Sequence, residues 1–334
     1  MIAVNPRPAQ LPRWQRLWRE AVSDPEELLR LVGLEQLGAS LSPIADARFP
    51  LRVPRGFIAR MRHADANDPL LLQVLPRACE YDATPGFELD PVGDLDARSA
   101  DGVLQKYAGR ALLITTGACA VHCRYCFRRH FPYAEQTAAV GQWQPALARL
   151  LEDTSIREVI LSGGDPLSLA TTKLAALTDA LTAISHVRRL RIHTRLPVVL
   201  PERVDRELLD WLAALPLQRV VVLHVNHANE IDGSVEQACQ ALRKTGVTLL
   251  NQSVLLRGIN DEVRALADLS ERLFACGVMP YYLHQLDRVR GSAHFEVADE
   301  RASRLIGELR ALLPGFLVPR LVREVAGANG KVPL

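Results

Sequence analysis

The sequence predicts an α/β protein, a parallel sheet of six strand–helix units behind a helical, loop-rich N-terminal region. Three observations lead there. From about residue 105, short β-branched or leucine runs alternate with longer amphipathic stretches. Before residue 100, helix-spaced apolar residues give way to a series of prolines. The chain has 334 residues, 48% of them hydrophobic, enough for one large domain and an appendage. Consecutive strand–helix units imply right-handed crossovers, and six of them make a partial (β/α)6 barrel. In such sheets the chemistry gathers at the carboxyl ends of the strands.

In the N-terminal region, residues 1–100, Trp14 to Ala21 and Pro25 to Leu34 have the spacing of amphipathic helices. Asp24 and Pro25 form an N-cap and N1 pair. Prolines 43, 50, 54, 69, 76, 85 and 91 then break the pattern, so this region reads as structural or as a gate over a substrate. In the core, residues 101–334, the expected strands are Ala111–Thr115, Glu158–Leu161, Arg189–His193, Val220–His224, Thr248–Val254 and Met279–Leu283. The expected helices are Gln144–Leu151, Thr171–Ile184, Val204–Leu215, Ser234–Lys244, Glu262–Cys276 and Asp299–Leu313.

A net charge of +2, from 40 basic and 38 acidic residues, argues against a nucleic-acid or membrane field. No apolar run approaches the ~18 residues of a membrane span. The start, Met1-Ile-Ala-Val-Asn-Pro-Arg-Pro8, has no charged n-region followed by an apolar h-region. Three of six cysteines lie within eight residues, while Cys79, Cys239 and Cys276 are scattered. That is no disulfide framework, and it fits a soluble protein of the reducing cytoplasm.

Cys119, Cys123 and Cys126 stand as C-x3-C-x2-C directly after the first core strand. Three thiolates for four irons leave one iron of a [4Fe–4S] cluster open to a ligand. A zinc site with His122 or His130 as fourth ligand is one alternative. A four-cysteine electron-transfer cluster is another, although Cys79, Cys239 and Cys276 sit in no suggestive context. The spacing resembles the S-adenosylmethionine (SAM) radical signature, in which the open iron chelates SAM and the reduced cluster cleaves it to a 5′-deoxyadenosyl radical. Ser162-Gly163-Gly164-Asp165 follows the second strand, where paired glycines allow close backbone approach to the SAM amino and carboxylate groups. Arg195 follows the third strand, and Asn226 and His227 the fourth; each is a candidate SAM contact or an ordinary loop residue. The chain has only four lysines, Lys106, Lys173, Lys244 and Lys331, and Lys331 lies in a small-residue loop at the end. Such a lysine is either solvated and mobile or a Schiff-base former for pyridoxal phosphate (PLP).

The cysteine run through Phe127-Arg-Arg129, followed by Ser162-Gly-Gly-Asp165, resembles the lysine 2,3-aminomutase family of radical SAM enzymes. So do Arg195-Leu-Pro-Val-Val-Leu-Pro201, Asn226-His-Ala-Asn-Glu-Ile231, Asn251-Gln-Ser-Val-Leu-Leu-Arg257, Tyr281-Tyr-Leu-His-Gln-Leu-Asp287 and Gly330-Lys-Val-Pro333. Leu51-Arg-Val-Pro-Arg-Gly-Phe-Ile58 and Cys126-Phe-Arg-Arg-His-Phe-Pro-Tyr133 are similar to one bacterial branch, which makes (R)-β-lysine for elongation factor P. The resemblance implies a TIM-like radical SAM barrel and an isomerase that moves the amino group of L-lysine from C2 to C3. It implies three cofactors: a [4Fe–4S] cluster on Cys119, Cys123 and Cys126, SAM, and PLP on Lys331. Gln252 joins Ser162, Gly163, Gly164, Asp165, Arg195, Asn226 and His227 as a SAM contact. Lys106 and Arg110 approach the PLP phosphate. Arg128 pairs with the substrate carboxylate, Asp287 takes its distal ammonium, and Glu324 stands where free-lysine enzymes carry a second aspartate. Lys106 stands where an arginine is common, and the chain stops three residues after Lys331, without the extension tied to oligomeric assembly. The implied partners are an electron donor such as flavodoxin or ferredoxin and, functionally, the lysine ligase of elongation factor P. An aminomutase for another basic amino acid and a non-catalytic iron–sulfur protein are the competing readings.

Overall fold

The computed structural model describes residues 11–40, 49–135, 137–138 and 143–334. Met1–Pro8 and the first of the helix-breaking prolines, Pro43, lie outside the described residues. The backbone of the molecule is one ten-stranded sheet whose strands lie in chain order. The strands are β1 (Arg98–Ala100), β2 (Val103–Leu104), β3 (Arg110–Thr116), β4 (Glu158–Gly163), β5 (Arg189–Thr194), β6 (Gln218–His224), β7 (Thr248–Val254), β8 (Met279–His284), β9 (Arg320–Arg323) and β10 (Val332–Pro333). β3 to β9 are parallel neighbours. β1, β2 and β10 add short antiparallel margins. The sheet runs open from β1 to β10, as a partial barrel does.

The six expected strands are present within a few residues. The count of parallel strands is corrected: β9 is a seventh. Its four residues, Arg-Leu-Val-Arg, place only Leu321 and Val322 in the core, too short a run to show a period in the sequence.

The longer helices are α1 and α2 in the N-terminal region (Arg13–Arg19 and Pro25–Leu31), then those of the crossovers, α3 (Gln144–Glu152), α4 (Thr171–Thr182), α5 (Arg206–Ala214), α6 (Gly233–Lys244), α7 (Val263–Ala275) and α8 (Asp299–Leu312). Short aspartates set three of their starts. Asp24 accepts from the Glu26 N–H, Asp205 from Leu208, and Asp232 from Ser234 and Val235, each cap holding about 1 kcal/mol of helix stability. Asp205 is why α5 begins at Arg206 rather than Val204; the residues before it, Pro201–Arg203, form a 3-10 turn.

The N-terminal region does not stand apart from the sheet. Trp14, Leu28, Leu29, Phe57, Leu70 and Leu71 belong to the same buried cluster as Leu113, Leu161, Ile192 and Val221. Arg203, fully buried, stacks on the Trp14 ring at 4.7 Å. It also donates to the carbonyls of Leu167 and Leu169 at 2.7 and 3.1 Å. Packing of α1 is thereby transmitted to the loop after β4, which borders the functional cavity.

Candidate active site

A cavity of about 530 Å³ opens at the carboxyl ends of the parallel strands. Its lining includes Cys119, Cys123 and Cys126 on the loop after β3, Ser162 to Asp165 after β4, Arg195 after β5, Gln252 on β7 and Asp287 after β8. Lys106, Arg110, Arg128, Glu324 and Lys331 line it as well. The sheet thus brings together residues spread over more than 200 positions of chain.

The cysteine loop is backed by the N-terminal region. The N–H of His122 donates to the Arg52 carbonyl at 3.0 Å and that of Arg124 to Gln73 at 2.9 Å. The buried carboxylate of Glu80 takes two of the loop's three arginines, Arg124 Nε at 2.9 Å and Arg129 Nη2 at 2.8 Å. Burial pushes the Cys119 thiol well up and Cys126 up to about 11, and the charges of the neighbouring cysteines add to both shifts. The three sulfurs therefore sit close enough to repel as thiolates, which bound iron would relieve. Among the described residues no three His, Cys, Asp or Glu side chains could hold a single metal ion. The nitrogen ligands of a zinc site are engaged elsewhere: His122 Nδ1 pairs with the Pro50 carbonyl at 2.6 Å and its ring stacks on Phe49, while His130 Nε2 faces the Arg290 carbonyl at 3.2 Å. Three cysteines around open space fit a cluster with one uncommitted iron.

At the end of β4 the sheet needs glycine. Gly163 has φ +120°, and a Cβ on Gly163 or Gly164 would collide with the carbonyls of Thr116 or Ala118. Ser162 accepts from Arg128 Nη1 at 3.0 Å. Asp165 lines the cavity but its carboxylate is already saturated. Oδ1 accepts from Leu167 N and Thr194 Oγ1, and Oδ2 from Arg195 N and Leu196 N, all within 3.0 Å. It braces the loops after β4 and β5. Arg195 is likewise committed: Nη1 donates to Cys123 Sγ and Tyr125 Oη, and Nη2 to Gln73 Oε1 and Glu230 Oε2. Asn226 and His227 are not among the residues that line the cavity. Asn226, fully buried, donates to Gln73 and Tyr125 and accepts from Val254 N. His227 Nδ1 caps a 3-10 turn by accepting from Asn229 N at 3.1 Å. Both are drawn away by the turn that delivers Glu230 to Arg195.

At the opposite end the terminal hairpin explains how a lysine so near the end of the sequence is held. β10 pairs with β9, Val332 opposite Arg323, so Lys331 and Glu324 face each other across the hairpin. Lys331 Nζ donates to Glu324 Oε2 at 2.6 Å, and Tyr107 Oη donates to Oε1 at 2.5 Å. Burial alone would raise the Glu324 carboxyl, but Lys331, Tyr107 and Lys106 together hold it below its usual range. Lys106 lies 3.8 Å from Glu324 and 2.7 Å from Asp94, and Asp94 in turn accepts from Arg128 Nε at 2.6 Å. Arg110 stacks on the Tyr107 ring at 5.0 Å. Asp287 faces this chain of charges, and burial pushes its carboxyl up to about 7, with Lys331 pulling the other way.

Sequence reasoning missed Asp94, Tyr107, His193, His224 and His284, which all line the cavity. Asp94 lies in a proline–glycine turn with no period to mark it. The histidines did carry a signal, being polar positions near the carboxyl ends of otherwise aliphatic strands. Burial holds all three imidazoles neutral, His224 down to about 3. His193 Nε2 and His284 Nε2 have no hydrogen-bond partner among the described residues.

An open parallel barrel with three cavity-facing cysteines on its first loop is the architecture of a radical SAM enzyme, and the model of the Radical SAM superfamily matches residues 113–270. The chain is 49% identical to the L-lysine 2,3-aminomutase of Escherichia coli (strain K12) over 324 residues, 96% of this chain and 94% of that one. It is 45% identical to the L-lysine 2,3-aminomutase of Haemophilus influenzae, covering 95% and 94% of the two chains. Identity to that of Clostridium subterminale is 35%, over 81% and 65%. The chain belongs to the lysine 2,3-aminomutase family of radical SAM isomerases, whose cofactors are a [4Fe–4S] cluster, SAM and PLP.

Proposed function

We propose that this protein converts L-lysine to (R)-β-lysine, and that the product supplies the modification of elongation factor P. One observation carries the reading: a single cavity is lined at once by the three cysteines, by Lys331, and by Arg128 and Asp287 as a cation and an anion for the two ends of an amino acid. When bound, the cluster with SAM supplies a carbon-centred hydrogen abstractor, and PLP supplies a π system across which nitrogen can move. Cys119, Cys123 and Cys126 hold the cluster, and Ser162, Gly163, Gly164 and Gln252 shape the SAM subsite. Asp165 and Arg195 support that subsite from behind.

Lys331 is the amine that carries PLP. Glu324, 2.6 Å from its nitrogen, holds the ammonium in place and is the nearest acceptor for the proton it must lose before it can act as a nucleophile. Lys106 and Arg110 face the anionic phosphate. Arg128 binds the substrate carboxylate as a planar donor. Asp287 takes the distal ammonium, and its ionised form is the one that binds. Fixing both ends presents one C3 hydrogen to the abstractor. Residues 1–100 act as an accessory that backs the cluster loop of the core, residues 101–334, and a flavodoxin or ferredoxin supplies the electron.

The Asp287 carboxylate in the cavity lining favours a basic side chain over an acidic one. The test is anaerobic reconstitution with iron, sulfide and PLP, then SAM, a reductant and L-lysine, with chiral analysis of the product by mass spectrometry. (R)-β-Lysine supports the reading. SAM cleavage without β-lysine moves the substrate elsewhere, and neither from a loaded cluster favours a non-catalytic iron–sulfur protein.

A further inference from the structure

We propose that Arg195 sets the reduction potential of the cluster through Cys123, with Glu230 as its buried counter-charge. Resting on the proposal that Cys123 is a cluster ligand, the inference gives Arg195 a part in electron entry rather than in SAM binding. Its Nη1 donates to Cys123 Sγ at 2.6 Å and to Tyr125 Oη at 2.8 Å. Nη2 donates to Gln73 Oε1 at 2.6 Å and to Glu230 Oε2 at 2.8 Å. Both terminal nitrogens are thereby committed within the protein.

The arrangement is held from both sides. Asp165 fixes the Arg195 backbone through its N–H at 2.7 Å. Glu230, with no exposed surface, is fixed by the Asn226 and His227 N–H groups and by Gln73 Nε2 on its other oxygen. Phe57 and Tyr125 cover the guanidinium with their rings. Water therefore screens both charges only weakly, and each acts on the sulfur more strongly than an exposed charge would. Hydrogen bonds to the sulfurs and nearby net charge are the terms through which protein sets cluster potential. A cation donating to a ligand sulfur stabilises the reduced cluster, which carries one more electron. The carboxylate, one residue further from the sulfur, opposes it.

The two members of the pair are then expected to have opposite effects. The experiment is an anaerobic redox titration of the reconstituted full chain, without SAM or lysine, with the reduced cluster read by electron paramagnetic resonance and iron counted in each variant. Arg195→Gln moves the midpoint to more negative potential. Glu230→Gln moves it to more positive potential. Arg195→Lys keeps the charge, loses the fork and falls between wild type and Arg195→Gln. An Arg195→Gln protein with full iron content and an unmoved or raised midpoint overturns the inference. So does a Glu230→Gln midpoint that stays or falls, and that variant decides the matter alone if Arg195→Gln fails to fold or to retain iron. Wild-type protein that assembles no cluster would instead overturn the proposed function.

Discussion

Behind the cluster loop, the carboxylates of Glu80 and Glu230 are each buried and each taken up by arginine, and Glu230 and Asp165 also accept backbone N–H groups. At the hairpin end of the same cavity, Asp287 carries a carboxyl near pH 7, and His193 and His284 keep ring nitrogens without partners among the described residues. The carboxylates of the first network are all satisfied by the protein itself, those of the second only in part. A buried polar group left short of partners is costly, whereas a satisfied one rigidifies what it holds. The difference lies in the carboxylates: those behind the cluster loop position the chain, whereas Asp287 at the hairpin end is left for a cation to pair with on the proposed reading.

The largest expected effect falls on the hairpin end. Lys331→Ala removes the amine proposed to carry PLP, so β-lysine formation should fall by ~10³-fold or more, as losses of a covalent nucleophile do. Borohydride reduction followed by mass measurement checks the cause, because the PLP mass should appear on wild type and not on the variant. A PLP adduct persisting in the variant would move the site to another lysine.

Next comes the positioning end. Glu80→Ala leaves Arg124 and Arg129 buried without their carboxylate, and removing one partner of such a pair costs about 3–5 kcal/mol. Denaturant unfolding of the apoprotein should show that loss, and iron retention should fall with it. A variant as stable as wild type would mean that the cluster loop is held by its backbone contacts to Arg52 and Gln73 alone.

Asp287→Asn tests the hairpin end a second time. A hydrogen bond to a charged group is worth about 1.5–3 kcal/mol, so KM for lysine should rise roughly 10- to 100-fold, at 1.4 kcal/mol per tenfold, with a smaller change in kcat. The pH dependence has a definite sign. Only the ionised carboxylate attracts an ammonium, so the wild-type KM should fall as pH rises through about 7, and the variant should lose that slope. The same group carries a stability signature in ligand-free protein. The folded state keeps the Asp287 proton up to about 7, while an unfolded chain releases it near ~4. The folded state therefore binds more protons in that window, and stability should decline as pH rises through it. Asp287→Asn should flatten the decline. A slope unchanged in the variant would assign it to another group.

Much of this contrast was legible in the sequence, for reasons particular to each residue. Cys119, Cys123 and Cys126 announce themselves because ligand spacing is local. The six strands show through because strands of six or seven aliphatic-rich residues carry their own period. Lys331 stood out by scarcity and motif, but what anchors it did not, since β10 is two residues long and its pairing with β9 is a long-range event. Asp94 joins Lys106 to Arg128 only after the chain before β1 folds over the barrel mouth. Arg195 and Asn226 fall on the expected loops, but the partners that hold them do not show in the sequence. Their side chains are claimed by Glu230 and Gln73, and partners 35 and 153 residues away leave no trace in local pattern.

The smallest effect tests how finely the hairpin end is tuned. Tyr107 donates to Glu324 while Lys331 donates to the other oxygen, so the carboxylate is shared between a hydroxyl and the amine proposed to carry PLP. Burial first, and then the Glu324 carboxylate, raise the Tyr107 hydroxyl above its ordinary value, so it stays protonated and acts only as a donor. Tyr107→Phe keeps the ring that stacks on Arg110 and removes that donor. Glu324 then leans more heavily on Lys331, which should hold its ammonium more tightly and take up PLP more slowly. Loss of one such bond is worth about 1 kcal/mol, so the rate of PLP incorporation, followed by absorbance, should fall by roughly fivefold. The kcat of the fully loaded enzyme should change less, because Lys331 is by then committed. An unchanged incorporation rate would show that Lys106, 3.8 Å from the same carboxylate, moves in to replace the hydroxyl.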